Sequence, residues 1–218
     1  MVIEELTLHT PDIAHQRAFF TERLGIAPSE DTDRRVAFQL GRTTLRFEQN
    51  AAWTGHYHYA LQIPGSQFEP AVEWLKERCP LLENSEGQQV YVFDIWSAQA
   101  VYFADGDGNI AELMAHLNLD SSPHSLFTGE SILGVNEIGW AVEDVPIVVQ
   151  HLGEQYGLAP YRGLSHPEFT GVGGSEGRFI VVPRARPWLP TGEPAASGWF
   201  SAVIHTPRSR QTLTAEPV

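Results

Sequence analysis

In the stretch VYFADGDGNIAELM over 101–114, a turn signal precedes one carboxylate, Glu112, inside an otherwise apolar strand. In the strand predicted there, Glu112 shares a face with Ile110 and Met114, because side chains two apart point the same way. A packed core favours an aliphatic residue at this position, and burying one carboxylate alone is costly. The position therefore predicts polar partners that come from other strands.

Polar residues also line one face of each of three further predicted strands, in IEELTLHT (3–10), TTLRFEQ (43–49) and HYHYALQIP (56–64). If the apolar faces pack on helices, the polar faces look into a shared interior. That interior would hold Glu5, Arg46, Glu48, His58 and Glu112. So many ionisable groups are tolerated when they pair with one another or hold a metal. The residues alone leave both possibilities open.

The elements that position these residues repeat along the chain. A strand (3–10), a helix (11–25) and a hairpin (35–49) are followed by a strand (56–64), a helix (68–79) and two strands (88–96 and 100–115). A third strand and helix begin at 132–144 and 145–157, with strands at 168–173, 178–183 and 198–205. Asp12 and Asp144 stand at matching places before their helices. The repeat predicts an α+β protein made of similar units.

Composition narrows the function classes. The chain has 218 residues and a formal net charge of −13, which repels nucleic acid and anionic lipid surfaces. It contains no 18-residue apolar run and no secretory signal pattern at the start, so we expect a cytoplasmic protein that does not span a membrane. Its one cysteine, Cys79, can form neither an internal disulfide nor a thiolate cage. The expected partner is a small molecule.

The stretch VYFADGDGNIAEL resembles the "YF.DPDGN.iEl" hairpin of the vicinal oxygen chelate superfamily, which includes glyoxalases, bleomycin-resistance proteins and extradiol dioxygenases. Gly106 stands where that motif has proline. LHTPDIAHQRAFFTERLG and HYALQI are similar to the other motifs of the superfamily. The resemblance implies tandem βαβββ modules that form a cupped mixed sheet, the glyoxalase-like fold. It assigns paired modules with the metal site to 1–118, a linker to 119–131, a third, degenerate module to 132–205 and a polar tail to 206–218.

The resemblance also implies a divalent metal ion (Fe, Mn, Ni or Zn) held by Glu5, His58 and Glu112. Glu5 and Glu112 would double as catalytic bases. Glu137 lies seven residues before Asp144, as Glu5 lies before Asp12, but RFIVVP (178–183) offers no carboxylate partner. The third module is therefore expected to have lost the site, and Glu137 to be structural.

Five further residues are candidates for substrate binding. Arg46 could clamp an acidic group, or instead pair with a nearby carboxylate. The other four are Glu48, the histidines His9 and His56, and Trp96, which is placed near the pocket rim. A structural or rim position is the alternative for both histidines.

Three functions follow from the resemblance. The first is a glyoxalase-like lyase or isomerase, in which the metal chelates vicinal oxygens of a small oxygen-rich substrate and stabilises an enediolate while a carboxylate moves a proton. The second is ring cleavage by ferrous iron, as in extradiol dioxygenases. The third is a metal-free ligand-binding or resistance protein. The unpaired third module could seal the first cup or form a homodimer.

Overall fold

A computed structural model describes residues 1–117, 126–196, 198–206 and 208–216. The first unit consists of β1 (Val2–Thr10), α1 (Ile13–Ala18), a π-helical turn (Phe19–Arg23), β2 (Pro28–Asp31), β3 (Arg35–Leu40) and β4 (Thr43–Gln49). The second consists of β5 (His58–Ile63), α2 (Phe68–Lys76), β6 (Leu81–Leu82), β7 (Val90–Phe93), β8 (Ala98–Ala104) and β9 (Ile110–His116). The third consists of β10 (Gly134–Val142), α3 (Val145–Tyr156), β11 (Thr170–Gly174) and β12 (Gly177–Pro183). A hairpin of β13 (Phe200–His205) and β14 (Arg210–Ala215) follows.

Two of the helices begin at the aspartates that the repeat singled out. The side chain of Asp12 accepts a hydrogen bond from the amide of Ala14, and that of Asp144 accepts one from the amide of Ile147. Each satisfies an amide that the first helical turn leaves without a partner. Gly157 ends α3 in the left-handed conformation (φ 66°), which glycine adopts without steric cost.

The strands form two mixed sheets, one in the order β14-β13-β1-β4-β3-β2 and the other in the order β11-β12-β10-β5-β9-β8-β6, with β7 also paired to β8. Apolar faces of both sheets and of the helices contribute to one core. This arrangement confirms the predicted α+β class with βαβββ units in cupped mixed sheets.

The pairing of the units differs from the expectation. The first strands of the second and third units, β5 and β10, pair antiparallel, whereas β1 lies in the other sheet and pairs antiparallel with β13. Residues 1–118 therefore do not form one cup, and the second unit shares its sheet with the third. Alternation along a strand shows which side chains share a face, but not which sheet the strand joins.

The two segments assigned outside the modules have different outcomes. More than half of the predicted linker, residues 119–125, lies outside the described residues. The predicted tail is not a free end along its whole length, because β14 within it forms an antiparallel pair with β13. Among the described residues, no helix is long and apolar enough to cross a membrane.

Candidate functional site

The DGDGN turn sets the register of the strand that carries Glu112. Both oxygens of the Asp105 carboxylate accept hydrogen bonds within the turn, and Oδ2 also accepts one from the Tyr59 hydroxyl at 2.9 Å. Asn109 accepts a bond from the amide of Tyr57 at 2.9 Å, which ties the start of β9 to the start of β5. A Cβ at Gly106 would lie 2.5 Å from the backbone oxygen of His15, so the turn packs on α1 with no room for a side chain.

Three buried side chains converge beyond this turn. Ala60, in the middle of β5, is opposite Glu112 of β9 on one side and opposite Glu137 of β10 on the other. His58 lies two residues before Ala60 and shares its face. One ligand atom from each of His58, Glu112 and Glu137 lies within 4.8 Å of the other two. Glu112 therefore turns inward and meets partners from two other strands.

The imidazole of His58 presents a lone pair to the two carboxylates. Its Nδ1 lies 3.2 Å from the carbonyl oxygen of Ile110, which can only accept, so Nδ1 carries the proton. Nε2 is then unprotonated and lies 3.6 Å from Oε2 of Glu112. Burial lowers the pKa of His58 to about 4, so the ring is neutral near pH 7. Histidines that bind metals in proteins use this arrangement, with one ring nitrogen donating to a carbonyl.

The two carboxylates differ in their surroundings. Glu112 is 1% exposed, and its Oε1 has no hydrogen-bond partner among the described residues. Burial raises the pKa of Glu112 well above its usual range, and the nearby Glu137 raises it further. Glu137 accepts a hydrogen bond from Nε of Arg178 at 2.6 Å. This ion pair lowers the pKa of Glu137, but burial outweighs it and leaves that pKa raised.

Arg178 is a fully buried cation of this site. Its Nη2 donates to Oδ1 of Asn136 at 2.8 Å and to Nε2 of His116 at 2.9 Å. The guanidinium carbon lies 4.4 Å from the ring centroid of Trp96 and 4.6 Å from that of Tyr161. Aromatic faces stabilise a desolvated cation, so these rings and Glu137 together compensate its burial.

The position in the third unit that corresponds to Glu112 is apolar. In the second unit, Ala60 lies two positions after His58 and is opposite Glu112. In the third unit, Gly139 lies two positions after Glu137 and is opposite Ile180. Ile180 therefore occupies in the third unit the place that Glu112 occupies in the second, and it is buried in the cavity wall. The third unit has lost one donor of the site but keeps the other.

The cluster lies in the wall of a cavity of about 520 Å³. The loop between β12 and β13 contributes Trp188, whose ring centroid is 4.8 Å from that of His58. A Cβ at Gly139 would lie 2.9 Å from that indole, so glycine there permits the approach. Trp96 also lines the cavity, as expected, and so does Tyr102, whose phenol interacts with the Glu112 carboxyl.

Glu5 is not part of this centre, and its predicted place beside His58 and Glu112 is wrong. Its Oε1 lies 2.5 Å from Nη1 of Arg46 in the other sheet, and Arg46 also pairs with Glu30 at 3.2 Å. The shared interior expected for five ionisable groups is thus two separate faces. Glu137 replaces Glu5 in the cluster because β10, and not β1, pairs with β5.

The remaining candidates also lie away from the cluster. Glu48 pairs with Arg35 at 2.9 Å in the first sheet. His9 of β1 stacks on Trp199 with ring centroids 4.1 Å apart. His56 precedes β5 and is exposed. A role in substrate binding for any of these side chains stays a prediction.

Two signals could have located the missed residues. Glu137 has the same spacing to its helix start as Glu5 has, so it was an equally good candidate. Arg178 stands in an otherwise apolar strand, RFIVVP, where a charged residue calls for a buried partner just as Glu112 does. Trp188 lies in a proline-rich loop that has no periodic pattern to predict its position.

Solved structures share this fold at low sequence identity. A candidate dioxygenase from Bacillus subtilis subsp. subtilis str. 168 superposes on 84% of this chain and 63% of its own, with a TM-score of 0.58 and 14% identity. Glyoxalase I from Zea mays superposes on 83% of this chain and 66% of its own, with a TM-score of 0.53 and 13% identity. The chain has the glyoxalase-like fold. The match thus spans slightly less than two thirds of each of these two proteins.

A shorter glyoxalase/bleomycin resistance protein/dioxygenase from Nocardioides matches over 57% of this chain and 89% of its own, with a TM-score of 0.43 and 18% identity. No protein-family model matches the chain, and no curated protein is similar to it in sequence. Identities this low establish the fold, while function has to be argued from the site.

The donor set fits a divalent metal ion. A ring nitrogen of His58 and one carboxylate oxygen from each glutamate lie within 4.8 Å of one another, and Glu112 has an oxygen without a hydrogen-bond partner among the described residues. Carboxylates with imidazole suit Mn²⁺, Fe²⁺, Ni²⁺ and Zn²⁺. Glu137 uses one oxygen for Arg178, which leaves Oε2 as its donor. A metal there would also balance the charge of Glu112, for which the described residues offer no cation of its own.

Proposed function

We propose that the chain is a metal-dependent enzyme of the glyoxalase-like type, a lyase or isomerase, with its centre at His58, Glu112 and Glu137. The observation that carries the proposal is the convergence of these three donors from adjoining strands in a buried cavity. A divalent ion held there would polarise two neighbouring oxygens of a small substrate and favour negative charge on them.

Each residue has a distinct part in this proposal. His58 is fixed in the tautomer that donates to Ile110, so its Nε2 orients the centre. Arg178 holds Glu137 in place as an ion-paired ligand. Glu112 is the better candidate to move a proton, because its Oε1 is unpartnered among the described residues and burial raises its pKa well above its usual range. The aromatic walls exclude water from this proton transfer.

Ferrous ring cleavage is less well supported by this centre. It has one imidazole and two carboxylates, whereas the facial triad of ferrous oxygenases has two histidines and one carboxylate. A metal-free binding protein is the second candidate, and one observation favours it. Arg178 already neutralises Glu137 within the fold, so the cavity does not depend on an ion for all of its charge balance.

Metal content distinguishes these candidates. We expect protein purified without chelators, after supply of manganese, iron, nickel or zinc, to carry about one ion per chain by mass spectrometry. Glu112→Gln and His58→Gln should bind the ion at least about tenfold more weakly, since each weakens one ligand. Glu5→Gln is the matched control and should bind as the parent does, because Glu5 lies in the other sheet.

A parent protein that stays free of all four metals would refute the proposal, as would an equal loss in the Glu5 control. Loaded protein should also exchange the carbon-bound proton of a 2-hydroxy ketone with deuterium from the solvent, observed by NMR. Glu112→Gln should abolish that exchange in loaded protein.

A further inference from the structure

The cavity outside the three donors is lined by aromatic rings. Six of them face it: Phe93, Trp96, Tyr102, Tyr161, Phe169 and Trp188. A volume of about 520 Å³ accommodates a molecule the size of a typical small-molecule ligand. Walls of this kind bind a flat apolar body, because ring faces offer large contact areas at little conformational cost.

The mouth of the cavity is apolar as well. Val92, Ile95, Leu164 and Leu189 line it and are 58%, 65%, 48% and 44% exposed. They make up half of the eight large hydrophobic side chains that are exposed among the described residues. Apolar side chains that cluster at an opening, instead of being scattered singly, mark a binding site for an apolar molecule.

One guanidinium in this wall has no ion-pair partner among the described residues, and the carboxylate whose charge acts on it is that of the exposed Glu168. Arg186 lines the cavity, its guanidinium carbon lies 4.9 Å from the ring centroid of Phe169, and no carboxylate of the described residues lies within 4 Å of it. The hydrogen bond from its Nη1 to the carbonyl of Pro187, at 3.1 Å, uses one of its five N–H donors. Nearby Arg184 differs, because it pairs with Glu143 at 2.7 Å.

The loop that carries Arg186 is held by its own backbone. Ala185 donates to Ala195, Ala195 donates to Arg186, and Trp188 donates to Glu193, each at 2.8 Å. The guanidinium is therefore presented by an ordered segment, close enough to His58 for its charge to act on that ring. Recognition of an acidic group by such a fork is charge-assisted and directional.

The balance of charged groups around the cavity also favours an anionic ligand. Glu112 and Glu137 are balanced in number by Arg178 and Arg186, and the further acids near the wall, Asp94 and Glu168, are exposed to solvent. A divalent ion at the three donors would make the cavity wall positive, which favours an anion.

We infer that the cavity takes a carboxylate with an aromatic body, whose acidic group binds Arg186 and whose ring lies between the aromatic walls. This inference names the substrate class of the proposed enzyme and rests on the proposed function for any reaction. Binding of such a molecule can nevertheless be measured on its own.

The test uses 1-naphthoate, the neutral 1-naphthalenemethanol, the cationic 1-naphthylmethylamine and the small anion propanoate. Calorimetry, or quenching of the tryptophans in the wall, would follow binding to chelator-treated and to metal-loaded protein. We expect 1-naphthoate to bind at least about tenfold more tightly than each of the other three, because each of them lacks either the charge-assisted contact or the ring.

Arg186→Gln should weaken 1-naphthoate about tenfold and leave the neutral alcohol within twofold. The control Arg184→Gln removes the same charge two residues away and should change neither. No saturable binding of 1-naphthoate, equal binding of acid and alcohol, or tighter binding of the amine or propanoate would overturn the inference. So would an equal effect of the Arg184 control.

The outcome is separable from that of the proposed function. A metal-loaded chain that ignores 1-naphthoate would leave the enzyme proposal standing and remove this substrate class. A chain that binds 1-naphthoate through Arg186 but never takes up a metal would refute the enzyme proposal and leave the inferred ligand class standing.

Discussion

Replacing Arg178 with methionine tests how the charges of the cavity wall are balanced. Methionine fills a similar volume but leaves Glu137 buried without its ion-pair partner. The guanidinium is 0% exposed and also donates to Asn136 and His116. We expect a large loss of stability, because removing one member of a buried pair leaves the other charge uncompensated.

The size of the loss follows from these contacts. Breaking a buried ion pair costs about 3–5 kcal/mol, and losing the contacts with Trp96 and Tyr161 adds about 1–2 kcal/mol. For a chain of this length each kcal/mol lowers Tm by about 2–4 °C, so Tm should fall by about 10–25 °C. The loss should be smaller at pH 5 than at pH 8. Burial raises the pKa of Glu137 above its unfolded value, so the folded variant binds the extra proton and loses stability as pH rises through that window.

Thermal unfolding followed by circular dichroism measures the effect, with Arg46→Met as the matched control. Arg46 also pairs with carboxylates, Glu5 and Glu30, but its side chain is 21% exposed and theirs are about a third exposed. Partly exposed pairs contribute about 1 kcal/mol or less, so the control should lose only a few degrees. If the two variants unfold within 2 °C of each other, or if the Arg178 variant is no more stable at pH 5, the assigned charge balance is wrong.

Two further outcomes follow from the same cavity. Gly139→Ala should lower stability by about 1–3 kcal/mol and shift tryptophan fluorescence, because its Cβ would meet Trp188 at 2.9 Å. The control Gly153→Ala lies in a helix with room for the methyl group and should be neutral or stabilising in the same thermal unfolding experiment. His58→Gln should flatten the pH dependence of unfolding between pH 6.5 and 4. The pKa of His58 is lowered to about 4, so the parent loses up to about 3 kcal/mol as pH falls through that range; parallel curves for parent and variant would contradict this.

Two of the three donors of the candidate site, His58 and Glu112, could be predicted from local pattern. Strand alternation predicts His58 and Glu112 on inward faces of β5 and β9, and the DGDGN turn ties the start of β9 to the start of β5 through Asn109. The βαβββ order could also be predicted, because apolar spacing along each element and the helix-starting aspartates are local properties.

The third member could not be chosen from the same pattern. Glu5 and Glu137 both lie seven residues before a helix-starting aspartate. What separates them is the strand that pairs with β5, and β1 is taken up instead by β13, nearly 200 residues away. Pairing over such a distance depends on the whole fold and leaves no signature near either glutamate.

The two missed arginines show a different limit. The residue opposite Glu137 in the third unit is Arg178, a cation on the neighbouring strand, whereas the resemblance led us to expect a carboxylate there. Arg186 lies in a loop, where neither alternation nor helical period predicts which way a side chain points.

The pairing of β1 with β13 also bears on how the molecule is assembled on the ribosome. At roughly 5–20 residues per second, one edge of β1 waits on the order of ten seconds or more for its partner to be synthesised. The sheet that holds the candidate centre needs nothing beyond β12, so it can close while β13 is still in the exit tunnel. Nascent chains stalled near residue 216, with β12 outside and β13 still inside the tunnel, should therefore already protect β5 and β9 from proteolysis while β1 remains open to chaperones.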